Sequence, residues 1–381
     1  MCSPEYLNMM KDIQENILNF LEEKAKSVEN YQILEGIFNT TKISDNQHNL
    51  LSLLYLISRI VDNYHRLPSF FSKIEQILLF FKKDIKKFFS NSEIFNIFKN
   101  NKRILLFLIE QQLIIIDEYI VKKITTTDKY IDAKYPQYFQ PEIQPFINEK
   151  WFPKYDPNLN NNEWVEDLEK ELPDNFYEKR NEGENDSQIC EFIRKDMINE
   201  FVSYITRNSV SLITKIQPSI YETNSFLLKN ICDLSLIEYA VFFGSIKIFN
   251  HLRFEGVELT PTLWPLAIHG KNSEMIHFLE GNHVELMDKS YKQVFYESIK
   301  CHHNDIANYF IKNFLQNDEE NSQDTINQCL KYYNFTFLTN ESISKLSLVY
   351  LCKYDYCSLI DYLLKNKAID VNKKEILIFF K

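Results

Sequence analysis

The chain has 381 residues, and its 45% hydrophobic content can support a continuous core in two ordinary domains or in one extended repeat array. Only 6 glycines are present, which disfavours Gly-rich nucleotide loops and turn-dense β-sandwiches, and we expect no bound cofactor. The formal net charge of -10 offers no basic field for phosphates, so we expect no nucleic-acid partner.

No segment is predicted to enter a membrane. The first 24 residues carry charges along their whole length, unlike a signal peptide. The most apolar run, residues 104–116, contains Glu110, Gln111 and Gln112 and is too short to cross a bilayer. The 7 cysteines are odd in number and scattered among apolar residues, which is typical of reduced core thiols. We therefore expect a cytoplasmic protein.

Residues 1–135 form a predicted N-terminal helical region. One helix follows the candidate caps Ser44 and Asp45, and a second begins near Ser69. The apolar stripe of the second helix, from Phe70 to Phe89, is broad enough to need neighbours on both flanks. Its four lysines are interpreted as a solvated face. The region either continues the repeats described below as divergent copies or forms a separate bundle. The apolar positions of the first helix are Leu50, Leu51, Leu54, Ile57, Ile60 and Val61. The four lysines are Lys82, Lys83, Lys86 and Lys87.

Residues 136–188 are predicted to be a Pro/Asn-rich acidic connector, because prolines interrupt helices and acids dominate its second half. Part of it is expected to dock on a helical surface, since a disordered acidic segment would hold few aromatic residues. Those aromatic residues are Trp151, Phe152, Tyr155 and Trp164. Within the connector, Asp156 to Asp167 resembles a calcium loop, but Asn161 replaces the required Gly and the last ligand is not Glu. We interpret it as a solvated loop.

Residues 189–376 contain a repeated pair of helices. The clearest copy begins at Ser235, which has the capping-box spacing to Glu238. Gly244 then interrupts the first helix, a second apolar face follows, and Gly256 stands where a helix ends in left-handed backbone. Such a unit hides its apolar side only against neighbouring units.

Further copies follow along the chain. In each copy a first helix is followed by a second helix with an apolar face. The first helix carries a small residue in several copies, at the position where neighbouring helices must approach closely. The first helices of these copies are marked by Ala267, Ser298, Cys329 and Ser347–Leu351, and an upstream second helix by Phe201, Tyr204 and Ile205. The turn of the fourth copy is predicted at Tyr333 and Asn334, with a short second element after it.

These residues resemble the ankyrin repeat, and the segments around Glu222 to Leu227 and Leu236 to Ser245 look like an expanded protist subfamily of degenerate ankyrin repeats that carries a domain of unknown function. The resemblance spans residues 186–372. It implies an all-α solenoid that binds proteins through loop tips and a helix face. Gly256 alone keeps the Gly expected after a second helix, and the equivalent positions hold Asn208, His283 and Lys367.

We expect a partner-binding face around the second copy, because the alignment of the repeat copies places five polar residues there where an ankyrin surface would meet a partner. Trp264, beside this face, is expected to pack in the core, because it takes the position that normally faces the stack. The candidate residues of the face are Glu258, Thr260, Thr262, His269 and Lys271.

No catalytic or metal site is predicted. The best metal pattern, Cys301-His302-His303, places adjacent ligands in different directions, and no C-x-x-C or H-x-x-x-H motif completes a tetrahedron. His302 and His303 stand where the ankyrin repeat has Gly-His in the turn between its helices, and this resemblance implies imidazoles that bond the backbone of a turn. No nucleophile elbow or phosphate cradle appears.

The expected function is therefore a non-enzymatic scaffold for protein–protein interaction. The alternative is a self-assembling structural repeat protein that associates through its apolar C-terminal edge, Ile376 to Phe380. A third alternative is an enzyme with its site in the N-terminal helices.

Overall fold

The computed structural model of the protein describes residues 3–22, 28–125, 135–146, 171–230, 234–315, 322–339 and 341–365. Within these ranges the chain is all-helical, as predicted, and its only β pairing is an isolated bridge between Lys215 and Ser235. No described helix combines the length and apolar character that a bilayer span requires. Outside the described ranges lie the connector aromatics Trp151 to Trp164, the calcium-like segment Asp156 to Asp167, Lys367, and the C-terminal edge Ile376 to Phe380.

The first half contains α1 (Ser3–Glu22), α2 (Val28–Thr41), α3 (Gln47–Asn63), α4 (Phe70–Phe80), α5 (Lys82–Phe88), α6 (Asn91–Phe98), α7 (Lys102–Glu110), α8 (Glu118–Thr125), α9 (Tyr135–Tyr138), α10 (Gln140–Ile143) and α11 (Phe176–Glu182). The second half contains α12 (Gln188–Arg194), α13 (Ile198–Arg207), α14 (Ser225–Asn230), α15 (Leu236–Phe243), α16 (Ile246–Phe254), α17 (Leu263–His269), α18 (Ser273–Gly281), α19 (Lys292–Lys300), α20 (Asn304–Phe314), α21 (Gln323–Tyr332), α22 (Leu348–Lys353) and α23 (Cys357–Lys365). Short 3-10 segments are Ile43–Asp45, Gln144–Phe146 and Glu341–Lys345.

The chain divides into two compact units. Unit 1 combines Met1–Phe88 with Thr260–Lys381, and unit 2 is Phe89–Leu259. In unit 1, α1 packs on α2, α4 and α23, and α3 also contacts α23. The apolar face predicted for α3 is therefore buried partly against a helix that lies about 300 residues further along the chain.

Unit 2 buries the described start of the connector. Tyr138 and Phe139 are fully buried, and the side chain of Lys102 lies beside the Tyr138 ring while its ammonium donates to the Ile220 carbonyl at 3.3 Å. Arg180 forms a 2.8 Å ion pair with Glu142. Charged groups buried in this way need such partners, because desolvation without them is costly.

Helix pairs recur where the sequence predicts them. The predicted pairs correspond to α15–α16, α17–α18, α19–α20 and α22–α23, and the predicted upstream second helix is α13. In unit 1 the first helices contact one another in order, α17 with α19, α19 with α21, and α21 with α22. In unit 2, α12 likewise contacts α15.

The turn between the helices of a pair contains one residue in left-handed backbone. This geometry ends the first helix with bonds to its last carbonyls and reverses the chain within two or three residues. The left-handed residues are Asp196, Gly244, Lys271, His302, Tyr333 and Asp355. The Ser235–Glu238 capping box, Gly244 and Gly256 are confirmed in their predicted roles, with φ of 67° and 88° for the two glycines.

Three local predictions are corrected by the structure. The cap of α3 is Asn46, because its backbone is extended and its carboxamide accepts from the N–H groups of His48 and Asn49, while Ser44 and Asp45 belong to a 3-10 turn. The helix predicted from Ser69 is interrupted at Phe81, where that ring packs 4.8 Å from the Phe38 ring.

The third correction concerns the repeats. After α13 the left-handed residue is Ser209 and not Asn208, which has a φ of -97°. The turn predicted at Tyr333 is present, with Tyr333 in left-handed backbone, and the described short element between it and α22 is the 3-10 segment Glu341–Lys345. The prediction that the lysines of α5 lie on a solvated helix face is confirmed, because Lys83, Lys86 and Lys87 are exposed.

Candidate functional site

The turns of the helix pairs in unit 1 form a surface that we call the turn face. It is already covered by helices from the start of the chain. Its residues are Lys271, His302, His303, Tyr333, Asn334, Phe335, Thr336 and Asp355.

Helix α1 crosses three successive turns of this face. Near its end, Glu22 pairs with Lys271 of the first turn. Halfway along, Gln14 contacts His302 of the second turn and Asn334 of the third, with donor–acceptor distances of 3.4 and 2.9 Å. A single helix is therefore held by polar groups that recur from one pair to the next.

Gln14 uses both ends of its side chain. Its amide donates to Asn334 and to the Thr336 hydroxyl at 3.1 Å, and its carbonyl accepts from the Phe335 backbone N–H at 2.6 Å. Gln14 is only 1% exposed, so these bonds replace the water that the amide loses on burial. Its contacts fix the register of α1 on the turn face.

The turn histidines bond the backbone of neighbouring pairs, as predicted from their position. The Nε2 of His302 lies 3.0 Å from the Tyr332 carbonyl, and the Nδ1 of His303 lies 2.9 Å from the Ile268 carbonyl. Both contacts require a ring N–H as donor. Burial lowers the pKa of His302 to about 3 and that of His303 well below its usual value, so both imidazoles are neutral at pH 7.

His65 continues this network from the end of α3. Its Nδ1 lies 3.1 Å from the Nε2 of His303, and its Nε2 lies 3.7 Å from the Glu22 carboxylate. Because His303 donates through Nδ1, its Nε2 accepts, and His65 is the donor in the contact between the two rings. Burial lowers the pKa of His65 to about 4.

A cleft of about 310 Å³ opens between α1 and the turn face, and the Glu22 carboxylate is one of the groups that line it. Burial acts to raise the pKa of Glu22, but hydrogen bonds from Lys271 and Tyr64 outweigh this effect and lower the pKa. A carboxylate that is kept ionised in this way is a poor general acid at pH 7. The lining residues are Lys11, Glu15, Leu18, Asn19, Glu22, Tyr64, Lys271, His302, Asn304, Asp305 and Thr336.

The structure places the five residues of the predicted binding face in different surroundings. Glu258, at the end of unit 2, is exposed. In unit 1, Thr262 is exposed and Thr260 half-buried, with their hydroxyls 2.6 Å apart. His269 is buried at 2% exposure, and Lys271 is engaged with Glu22. Glu258 and Thr262 are therefore exposed to solvent, whereas the side chains of His269 and Lys271 are engaged within the chain.

Trp264 is buried, as predicted. Its indole N–H donates to the Val284 carbonyl at 3.2 Å, and its ring packs edge-on against Tyr291. A tryptophan with its N–H satisfied inside the fold supports packing and leaves no indole for a ligand.

His269 belongs to a group of side chains that no sequence pattern indicated. Its Nε2 lies 2.5 Å from the Oε1 of Glu297, and the donor atoms of His269, Glu297 and Cys301 all lie within 4.8 Å of one another. Lys300 also contacts Glu297, at 2.6 Å. Burial acts to raise the pKa of Glu297, but His269 and Lys300 outweigh it and hold that pKa at about 2.

One signal in the sequence could have pointed to Gln14. Met10, Ile13, Ile17 and Leu21 form the buried stripe of α1, and Gln14 stands inside that stripe at helical spacing. A polar residue at a core position needs a hydrogen-bonding partner. The identity of that partner, more than 300 residues away, has no local signal.

Comparison of the chain with family models, curated proteins and solved structures gave no match.

Proposed function

We propose that the chain is a non-enzymatic scaffold that binds other proteins through ankyrin-type helix pairs arranged as a solenoid. The observation that carries this proposal is the seat of α1 across three successive turns of unit 1. Polar turn groups that recur from pair to pair are suited to recognising a helix, because each turn offers a donor or acceptor at a similar place.

The chemistry of this seat indicates the kind of partner. Helix α1 presents an apolar stripe with one amide, Gln14, and a carboxylate, Glu22, at its end. A partner helix with the same features would satisfy Asn334, Phe335 and Lys271 in place of α1. We therefore infer that the partner is an amphipathic helical segment that competes with α1.

The cleft beside α1 supports binding more than acid–base chemistry. The ionisable groups at its centre, Glu22 and Lys271, neutralise each other. Both nitrogens of the His302 ring are also occupied, by Tyr332 and Gln14. Groups that are engaged in structural bonds recognise and orient a partner helix, but they are poorly placed to accept a proton from a substrate.

The test compares three full-length proteins as baits, the wild type, Gln14→Ala and Asn8→Ala. Gln14→Ala removes the bonds that hold α1 on the turn face, while Asn8 is exposed on the same helix outside the cleft and serves as the matched control. Cross-linking and mass spectrometry would then locate each bound protein. We expect Gln14→Ala to capture severalfold more of a partner that cross-links through Lys271, and Asn8→Ala to behave as the wild type.

Two results would contradict the proposal. One is capture that is equal for all three baits. The other is a set of cross-links that is confined to the exposed lysines of α5 and never reaches the turn face.

A further inference from the structure

His269, Glu297 and Cys301 bring three different metal-ligating side chains together inside unit 1. Glu297 and Cys301 are four residues apart at the end of α19, so they lie on one face of that helix. His269 is the last residue of α17, which packs directly on α19. The three donor atoms lie within 4.8 Å of one another, close enough to converge on one ion.

We propose that these three residues form a binding site for a single divalent transition-metal ion of the zinc class. Imidazole nitrogen, thiolate sulfur and carboxylate oxygen are together the donor set that zinc uses in proteins, and sulfur with nitrogen disfavours magnesium and calcium. His269 and Cys301 are buried, whereas the Glu297 side chain is 22% exposed. Solvent thus reaches the site from the Glu297 side, where a water would complete a tetrahedron.

Charge and proton balance are consistent with an ion at this position. The Cys301 S–H bond breaks as the sulfur–metal bond forms, and the proton leaves to solvent. The 2.5 Å contact with the ionised Glu297 places a proton on Nε2 of His269 in the metal-free protein. That proton leaves Nε2 and a solvent proton is taken up at Nδ1, so that the Nε2 lone pair binds the ion and the imidazole stays neutral. The thiolate and the carboxylate of Glu297 then neutralise the two positive charges of the ion. The Lys300 ammonium lies 2.6 Å from Oε1 of Glu297, the oxygen that His269 also contacts, and it would pair with the second carboxylate oxygen once Oε1 binds the ion.

This site differs from the pattern that the sequence offered. The neighbouring His302 and His303 point to the carbonyls of Tyr332 and Ile268 and are not available as ligands. Only Cys301 is shared between the sequence pattern and the site, and its two partners come from α17 and from one turn earlier in α19.

The experiment titrates the full-length protein with Co²⁺ as a spectroscopic probe. We expect one ion per chain, a near-ultraviolet thiolate-to-cobalt band, the intense visible bands of tetrahedral cobalt, and loss of all of them on addition of Zn²⁺. Cys301→Ser should lose the thiolate band, and His269→Gln should weaken binding by about tenfold or more. The controls are Cys352→Ser and His277→Gln, which replace exposed residues and should leave the spectrum unchanged.

The wild-type spectrum alone can overturn the proposal. A protein that binds no Co²⁺, or binds it without a thiolate band, has no such site. The same conclusion follows if the band survives in Cys301→Ser or disappears in Cys352→Ser. Circular dichroism of each variant separates loss of ligation from loss of folding, and Glu297→Gln gives a second ligand variant that retains the Cys301 thiol.

Discussion

Gln14 accepts a 2.6 Å hydrogen bond from the backbone N–H of Phe335, a residue 321 positions further along the chain. The bond closes unit 1 by linking the first helix to the turn after α21. The Phe335 N–H lies beyond the end of that helix and has no carbonyl of its own helix to bond. The amide of Gln14 therefore replaces a bond that secondary structure does not provide.

Replacing Gln14 by Ala should destabilise unit 1 strongly. The substitution leaves the buried N–H of Phe335 without its acceptor, which costs about 1–3 kcal/mol, and the lost packing adds to that cost. We expect the free energy of unfolding to fall by about 2–4 kcal/mol, measured by urea denaturation. Asn19→Ala, exposed on the same helix, should change it by about 0.5 kcal/mol or less. Equal effects of the two substitutions would show that the bond to Phe335 does not hold α1 in place.

His65 should make the stability of the protein depend on pH. Burial lowers its folded pKa to about 4, Glu22 and Asp305 oppose the shift, and Lys271 adds to it, while His303 accepts its ring proton. In the unfolded chain His65 is protonated below about pH 6.5, whereas in the folded chain it stays neutral until about pH 4. The unfolded state therefore binds more protons between these values, and the free energy of unfolding decreases as the pH falls. The loss from this residue between pH 7 and pH 5 should be about 2 kcal/mol.

The measurement compares unfolding free energies at pH 7 and pH 5. His65→Gln should lose less stability over this interval than the wild type, because glutamine does not titrate. His277→Gln replaces a histidine whose side chain is 64% exposed, and it should lose as much as the wild type. If His65→Gln shows the same pH dependence as the wild type, His65 is not buried as a neutral ring.

The helix pairs were predictable because their signals are local. Ser235 and Glu238 are three residues apart, and the periodicity of α15 and α16 needs only a short window of sequence. Trp264 was predictable as a core residue from its register in the repeat. Ser235 and Glu238 are neighbours in the chain, and the partners of Trp264, Val284 and Tyr291, lie in the repeat copy that follows it.

The turns at His302 and Tyr333 were predicted, but the packing of α1 on them and the left-handed residue of each turn were not, for two physical reasons. Gln14 finds its partners more than 300 residues away, and no local pattern encodes such a contact. The turns also use left-handed residues other than glycine. Tyr333 adopts a φ of 55°, which costs about 1 kcal/mol, and its ring recovers energy by stacking on Tyr55 and Tyr356 at 5.3 and 4.6 Å.

Gly256 and Gly36 should respond in opposite directions to the same substitution. Neither has any atom within 4 Å of the position that a Cβ would occupy, so packing does not decide the outcome. Gly256 has a φ of 88°, and alanine there should cost about 1–2 kcal/mol. Gly36 lies inside α2, where alanine should stabilise the protein by about 0.5–1 kcal/mol. Thermal unfolding of Gly256→Ala and Gly36→Ala measures both, and a stabilised Gly256→Ala would contradict the left-handed turn.

The ion pair between Lys271 and Glu22 should matter more for specificity than for stability. Both side chains are partly solvated, at 22% and 40% exposure, so the pair contributes about 1 kcal/mol or less. Lys271→Glu places like charges together and should loosen the end of α1, and adding Glu22→Lys should restore it. Hydrogen exchange of the last turn of α1 measures this loosening. A double variant that exchanges as fast as Lys271→Glu would show that the pair does not hold α1. If Lys271→Glu also leaves every captured partner unchanged, Lys271 is not part of the partner-binding face.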